Sequence, residues 1–310
     1  MSAPVARKGA AAGIAATLTA AVLWGSSFSV NDIGLDHVGP GLFSFLRFAL
    51  AGGVALGVLA LMGRVRFDLL RHKWFWLLCA TNAAAFLLQY VGQTLTTPAR
   101  TALFVNTSAF TVALIERIFF HMRMGPKRWV AIGLGFVGAS VLIVGGDPSQ
   151  IAGGRLVGDL LAMVAGLIWA VFFVMLDRAV EREEPVHLSA WTFLGTAAFL
   201  VAAPLLDPWL ARPDVGGLTP EAIPIILYSG VVTTALAFAL WTYGLTRVRA
   251  SVSAVLLMVE ILVASLLSVA LGREVFGWVE LVGALVLVAA VMLASSVASN
   301  DAARAQRMPD

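Results

Sequence analysis

Long apolar stretches alternate with short polar segments along the whole chain. Each stretch has about 20 residues, the length that an α-helix needs to cross the hydrocarbon core of a bilayer. Most charged residues and most prolines fall between the stretches. The pattern therefore predicts ten transmembrane helices, at residues 10–31, 39–62, 73–93, 99–120, 127–145, 156–177, 187–206, 220–245, 250–271 and 276–298.

Composition excludes other classes of protein. Apolar residues make up 60% of the 310 positions and charged residues 13%, and the mean hydropathy is +0.90. A soluble domain needs more charged surface, disordered segments are poor in apolar residues, and an outer-membrane barrel shows short alternating stretches. The expected fold class is an all-α polytopic membrane protein, with too few residues outside the spans for a sizeable soluble domain.

The basic residues predict the orientation of the spans. With the N-terminus in the cytoplasm, 16 of the 21 Lys and Arg residues lie in or beside cytoplasmic segments, four lie outside, and Arg47 lies within a span. Such a bias is typical of multi-pass membrane proteins. Both termini are therefore predicted to be cytoplasmic. The net charge of +3 is attributed to this topology and not to nucleic-acid binding.

The two halves of the chain resemble each other. Trp24 aligns with Trp169 at an offset of 145 residues, and Gly133 aligns with Gly283 at an offset of 150. Each half contains five predicted spans. Because five is an odd number, the second half enters the membrane in the opposite sense, and the chain is predicted to form an inverted repeat, which is common in secondary transporters.

This repeat defines the predicted domain organisation. A cytoplasmic tail, the first five-helix repeat, a linker, the second five-helix repeat and a second cytoplasmic tail are expected at residues 1–9, 10–146, 147–155, 156–298 and 299–310.

Four short motifs then point to a known family. They are Trp24-Gly25-Ser26-Ser27-Phe28, Leu46-Arg47-Phe48 after Pro40, the entry into span nine at Arg247–Ala254, and Gly272-Arg273-Glu274. In this order, within a five-plus-five repeat, the chain resembles the EamA-type branch of the drug/metabolite transporter superfamily over residues 10–298. The resemblance implies a transporter of the bacterial inner (plasma) membrane, similar to exporters of aromatic and other amino acids.

The chain departs from the family pattern in two spans. Members of the family commonly have a proline near the centre of spans four and nine, where this chain has residues such as Ala109 and Ile261. A kink caused by proline, as in the relatives, therefore cannot be carried over to these positions.

Two ionisable side chains within predicted spans are candidates for a functional site, because charge inside a membrane is costly. Glu260 can receive a substrate ammonium group, hold a coupling proton, or pair with a polar neighbouring helix. Arg47 can pair with a substrate carboxylate through its planar guanidinium. Alternatively, Arg47 is structural, and its side chain either extends toward the membrane surface or bonds carbonyl groups.

Span three has a polar face. Asn82, Phe86, Gln89 and Gln93 have the spacing of one side of a helix. Since amides facing lipid would be costly, this face is predicted to line a cavity or to hydrogen-bond with other helices.

The repeat predicts that Trp24 and Trp169 lie symmetrically about a site near the membrane midplane, where their rings can stack on a substrate or cover an ammonium group. Spans one, three, four, six, eight and nine are expected to line this site. The predicted substrate-binding residues are Trp24, Asn82, Phe86, Gln89, Asn106, Trp169, Tyr243 and Glu260.

The predicted function is export of amino acids and related small metabolites by alternating access. The alternatives are a drug or nucleotide-sugar transporter of the same superfamily, and, from other classes, a membrane-embedded enzyme or a non-transporting subunit. No catalytic residues, cofactor or metal are expected, because the histidines are scattered near span ends and no nucleophile–base set is present. The expected partners are a small-molecule substrate and the lipid bilayer; the oligomeric state is left open, and a monomer is compatible with the sequence.

Overall fold

The protein is a bundle of helices. A computed structural model describes residues 9–122, 124–144, 156–210, 218–270 and 277–307. In these ranges, ten helices are long and apolar enough to cross a membrane, which confirms the predicted number. They are α1 (Ala10–Leu35), α2 (Pro40–Leu61), α3 (Lys73–Leu95), α4 (Pro98–Val105 and Ser108–Ile118), α5 (Pro126–Val144), α6 (Leu156–Ala179), α7 (Pro185–Leu200), α8 (Ala222–Leu245, in three segments), α9 (Ala250–Leu257 and Val259–Ala270) and α10 (Trp278–Arg307).

Some of the predicted features lie outside the described residues. These are the Gly272-Arg273-Glu274 motif, the linker 147–155, residues 1–8 of the first predicted tail and residues 308–310 of the second, whose residues 299–307 continue helix α10. Short helical turns at Asp68–Arg71, Ala203–Leu206 and Asp207–Leu210 belong to the connections that are described.

Helix packing has the symmetry of an inverted repeat. Helices α3 and α4 of the first half pack against α6 of the second half. The equivalent helices of the second half, α8 and α9, pack against α1 of the first half. The pairs α2–α7 and α5–α10 each join equivalent helices. A pseudo-twofold axis therefore relates the two halves, and each group of packed helices contains members of both halves.

Helices α5 and α10 cross at two glycines. A Cβ atom added to Gly138 would lie 2.6 Å from the Leu287 backbone nitrogen, and one added to Gly283 would lie 2.4 Å from that of Leu142. These reciprocal contacts pair Gly138 with Gly283 at an offset of 145 residues, since 283 − 138 = 145. The sequence alignment paired Gly283 with Gly133, but a Cβ atom on Gly133 would meet nothing within 4 Å.

Helices α4 and α9 are both interrupted, although neither contains the family's proline. In α4 the side-chain amide of Asn106 donates to the carbonyl oxygen of Ala102 at 2.9 Å, and the Thr107 hydroxyl donates to the Phe104 oxygen at 2.7 Å. Such bonds compete with the helical ladder. In α9 the backbone tightens at Met258, whose N–H bonds the Val255 oxygen. Side-chain bonds and tight turns therefore interrupt both helices without a proline.

The middle of α8 forms a π-helix over Tyr228–Leu236. The sequence contains the run Val231-Val232-Thr233-Thr234 here, and β-branched residues have a slightly lower helix propensity than unbranched ones. The Thr234 hydroxyl also donates to the Ser229 carbonyl oxygen five residues earlier, at 2.7 Å. Stretches of π-helix are rare and often occur at functional sites.

Arginine side chains mark one end of the bundle. Arg64, Arg66, Arg178, Arg247 and Arg249 all lie in the connections and helix ends on the side where α1 begins and α10 ends. We call this side the basic end; it is the side that the charge pattern predicts to face the cytoplasm.

At the opposite end, the second half of the chain caps a helix of the first half. The N-cap of α2 is Gly39, which has no side chain to accept a hydrogen bond. The Asp207 carboxylate instead accepts the N–H groups of Gly41 at 2.7 Å and Leu42 at 2.9 Å. A carboxylate at a helix N-terminus is favourable, so this contact connects α7 to the start of α2.

Exchange of Asp207 for asparagine is expected to remove a pH-dependent part of the stability. Burial raises the pKa of Asp207 above its ordinary value, although the two backbone N–H bonds act in the opposite direction. A raised folded-state pKa stabilises the protein at low pH, and this stabilisation is lost as the pH rises through that pKa. The melting temperature of the wild type relative to Asp207→Asn should therefore fall as the pH rises above about 4, the ordinary pKa of aspartate. A difference that is the same at every pH, or one equal to that of Glu280→Gln at the exposed cap of α10, would contradict this account.

Candidate functional site

A cavity lies in the middle of the bundle. Its empty volume is about 580 Å³, a figure that includes the open space at its mouth. The wall combines aromatic rings with a few polar groups, as ligand sites do. The lining residues are Trp24, Ser27, Phe28, Arg47, Phe86, Gln89, Tyr90, Val105, Asn106, Ser108, Trp169, Phe173, Ala254, Leu257 and Glu260.

Arg47 enters the cavity wall from α2, one to two turns below the end that Asp207 caps. Its Nε donates to the Thr234 hydroxyl at 2.8 Å and its Nη2 to the Thr233 hydroxyl at 3.3 Å. The guanidinium carbon lies 4.9 Å from the centre of the Phe86 ring, within cation–π distance. Arg47 is 1% exposed, and in the described part of the chain its Nη1 has no acceptor. It is thus a buried cation with donors to spare.

Glu260 lies on α9 directly after the break at Met258, and Asn106 lies at the break in α4. The Asn106 amide donates to the Glu260 carboxylate at 2.6 Å. Glu260 is 8% exposed, and no Lys, Arg or His of the described ranges forms an ion pair with it. The two interrupted helices therefore meet at a buried carboxylate with one strong donor and remaining acceptor capacity.

Trp24 and Trp169 both line the cavity, at equivalent positions of the two halves. The Trp24 indole donates to the carbonyl oxygen of Thr233 on α8 at 2.6 Å. The Trp169 indole donates to the Gln89 side chain on α3 at 3.0 Å. Helices α8 and α3 are themselves repeat equivalents. Because both indole N–H groups are occupied within the protein, the rings present apolar faces and edges to the cavity.

An aromatic cluster lies between the cavity and the basic end, and Phe173 is its member that lines the cavity. The cluster consists of Phe172, Phe173, Phe238 and Trp241, which are at most 7% exposed. Ring centroids of Phe173 and Trp241 are 4.5 Å apart, and Phe238 lies 5.0 Å from Trp24. The Trp241 indole donates to the Ser253 hydroxyl on α9 at 2.9 Å.

The cavity does not include every residue that the sequence suggested. Asn82 is buried and donates to the Thr196 hydroxyl of α7 at 2.9 Å, so it joins two helices away from the lining residues. Gln93 likewise bonds the Phe28 carbonyl oxygen at 3.3 Å. Tyr243 is 40% exposed near the basic end, with the Arg247 guanidinium 3.7 Å from its ring centre.

The helices that line the cavity also differ from the predicted ones. Six of the predicted substrate-binding residues, together with Arg47, line the cavity, as do Ser27, Phe28 and Tyr90. Helix α2 replaces the predicted α8, because Trp24 and Arg47 bond to the π-helix and stand between it and the cavity. The threonines of α8 that position Arg47 were missed, although a Ser/Thr-rich stretch in a span was visible in the sequence.

These features define the class of protein to which the chain belongs. A ten-helix inverted repeat around a central cavity with buried polar groups is the architecture of membrane transporters. The EamA-like transporter family matches residues 11–144 and 156–296. The chain therefore belongs to the EamA-like transporter family and is a membrane transporter with two repeated halves.

Three related proteins match this chain over most of its length and are named as transporters or as an efflux pump. An "Uncharacterized transporter" of Archaeoglobus fulgidus is 24% identical over 89% of this chain and 94% of its own. A "Probable amino-acid metabolite efflux pump" of Salmonella typhimurium is 26% identical over 89% and 92%. The "Uncharacterized inner membrane transporter YedA" of Escherichia coli is 26% identical over 88% and 87%.

A solved crystal structure has the same fold, with a TM-score of 0.76 and 21% identity over 94% of this chain and 98% of the other. Together with the apolar helices, the relatives make this a multi-pass protein of the bacterial inner membrane.

Proposed function

We propose that this protein exports amino acids, including aromatic or other apolar ones, and related small metabolites by alternating access. The observation that carries the proposal is the presence of Arg47 and Glu260, two buried groups of opposite charge, in the wall of one cavity. A zwitterion has a carboxylate that can pair with Arg47 and an ammonium group that can pair with Glu260. The efflux pump of Salmonella typhimurium named above supports the same substrate class.

The free donors of Arg47 give the carboxylate its binding site. A buried N–H group without an acceptor costs about 1 to 3 kcal/mol, and more when it is charged. A substrate carboxylate that accepts from Nη1 removes this cost and forms a charge-assisted bond. The ammonium group would then bond Glu260, whose position is fixed by Asn106.

The aromatic wall suits an apolar side chain. The ring centroids of Phe86 and Trp169 are 4.7 Å apart, and Trp24 lines the same cavity. Stacking or edge contacts with a substrate ring add to its hydrophobic burial. A nucleotide sugar is disfavoured, because a diphosphate needs more positive charge than one arginine supplies.

The proposal is tested by transport into proteoliposomes that contain only this protein. Labelled phenylalanine is the first probe, followed by other labelled amino acids and labelled tetraphenylphosphonium; 2-phenylethylamine, 3-phenylpropionate and a nucleotide sugar are competitors. Phenylalanine should accumulate above the level of empty vesicles, and the amine and the acid should compete at least about tenfold more weakly than the amino acid. Failure to transport any amino acid, with transport of the lipophilic cation instead, would make the protein a drug exporter. No flux of any compound would favour a non-transporting subunit.

A further inference from the structure

The π-helical segment of α8, Tyr228–Leu236, is tied to α1 and α2 by its polar side chains. Ser229 donates to the Asn31 side chain at 2.6 Å, and the Tyr228 hydroxyl lies 2.6 Å from that of Ser26. Thr233 and Thr234 accept from Arg47. The segment is thus held by contacts to neighbouring helices as well as by its own backbone.

Arg47 links this segment to the cavity. The two threonine hydroxyls that accept from its guanidinium donate in turn to the same Ser229 carbonyl oxygen, at 3.1 Å from Thr233 and 2.7 Å from Thr234. In such a chain each bond polarises and strengthens the next. A Cβ atom added to Gly230 would lie 3.1 Å from the Arg47 carbonyl oxygen, so the backbones of α2 and α8 are in close contact here.

Two members of the aromatic cluster, Phe238 and Trp241, lie on the same helix, directly beyond the π-helical segment. Phe238 is two residues after Leu236 and Trp241 is five residues after it. In an α-helix one residue corresponds to a rotation of about 100°. Rewinding the segment by one residue would therefore turn Phe238 and Trp241 away from Phe173 and Ser253, and would open the cavity wall toward the basic end.

We propose that the π-helical segment of α8 couples the occupancy of Arg47 to the aromatic cluster, with Thr233 and Thr234 as the positioning residues. A substrate carboxylate draws the guanidinium into the cavity and weakens its bonds to the two hydroxyls. The segment then rewinds as an α-helix, and the cluster opens toward the basic end. This inference rests on the proposed transport function for its meaning, but its first test requires no substrate.

That test measures the accessibility of position 253 in the full-length protein. Ser253 is fully buried behind Trp241, so Ser253→Cys, in a Cys79→Ala background, reports whether the cluster is open. Thr234→Val removes the hydroxyl while keeping the shape of the side chain. We expect a small thiol reagent to label position 253 at least about fivefold faster in Thr234→Val, because a charge-assisted bond is lost.

Two variants serve as controls. Thr234→Ser keeps the hydroxyl and should restore slow labelling. Thr242→Val removes an equally buried hydroxyl of α8, one that bonds Ser189 outside the π-helical segment, and should label like the parent. Equal labelling rates for Thr234→Val and Thr242→Val would overturn the coupling.

A second measurement covers the case in which Thr234→Val does not fold. Hydrogen exchange of amides 229–241 in the otherwise unmodified protein should change with saturating phenylalanine and remain unchanged with 2-phenylethylamine, which has no carboxylate. The same response to both compounds would overturn the coupling. Faster labelling of Thr234→Val in a protein that transports no amino acid would instead support the coupling and refute the proposed substrate.

Discussion

Replacing Arg47 with glutamine is expected to reduce kcat/KM for phenylalanine about 30-fold or more, equivalent to at least 2 kcal/mol. Glutamine can still donate one bond to the Thr234 hydroxyl, so the contact between α2 and α8 is partly kept. It supplies no positive charge for the substrate carboxylate, and losing one partner of a buried charged pair typically costs 2 to 5 kcal/mol. The effect is measured as initial rates of uptake into proteoliposomes.

The choice of substrate separates binding from a structural role. Transport of 2-phenylethylamine, which has no carboxylate, should change less than about threefold. Arg128→Gln is the matched control, because Arg128 is also buried but pairs with Asp301 near the basic end, away from the lining. Equal losses for the amino acid and the amine would show that Arg47 serves the fold and not the substrate.

Much of the fold could be predicted from the sequence because membrane burial leaves a simple signal. A span must be apolar over its whole length, and all ten were found from hydropathy. The repeat was visible through Trp24 and Trp169. The register of α5 on α10 was not, since several glycines in α5 fit the pattern and only contact with Gly283 selects Gly138.

The candidate site was predictable only in part. Asn82 and Gln89 lie on one face of α3, but seven residues separate them by about 10 Å along the helix. Gln89 therefore reaches the cavity, whereas Asn82 meets Thr196 of α7. Periodicity gives the direction of a side chain around a helix and not the depth of a cavity beside it. Tyr243 is a different case: it lies two residues before the predicted end of span eight at residue 245, so its place near the basic end followed from the predicted bounds.

The polar groups of the cavity break the symmetry of the scaffold. Trp24 and Trp169 are present in both halves, but at the 145-residue offset Thr192 occupies the position equivalent to Arg47. Glu260 is opposed by Asn106 of the equivalent helix α4, and not by a second carboxylate. An inverted repeat provides two similar conformations, while one cation and one anion within it provide a directional site for a zwitterion.

Replacing Glu260 with glutamine is expected to lower kcat/KM for phenylalanine about 10- to 100-fold, or about 1.4 to 2.7 kcal/mol. The Asn106 amide can still donate to the oxygen of glutamine, so the junction between the interrupted helices α4 and α9 is retained. The substrate ammonium group loses its counter-charge. Transport of 3-phenylpropionate, which has no ammonium group, should not fall.

The same variant tests whether Glu260 holds a coupling proton. Arg47, Tyr90 and Glu260 are the titratable side chains in the described lining, and a proton and a substrate ammonium group compete for the oxygens of Glu260. Export that depends on pH in the wild type should therefore become independent of pH in Glu260→Gln. Glu116→Gln, at a buried carboxylate near the basic end, should keep the wild-type profile. An unchanged pH profile in Glu260→Gln would exclude the proton role and leave Glu260 as a binding residue alone, because only the loss of affinity for the ammonium group would remain.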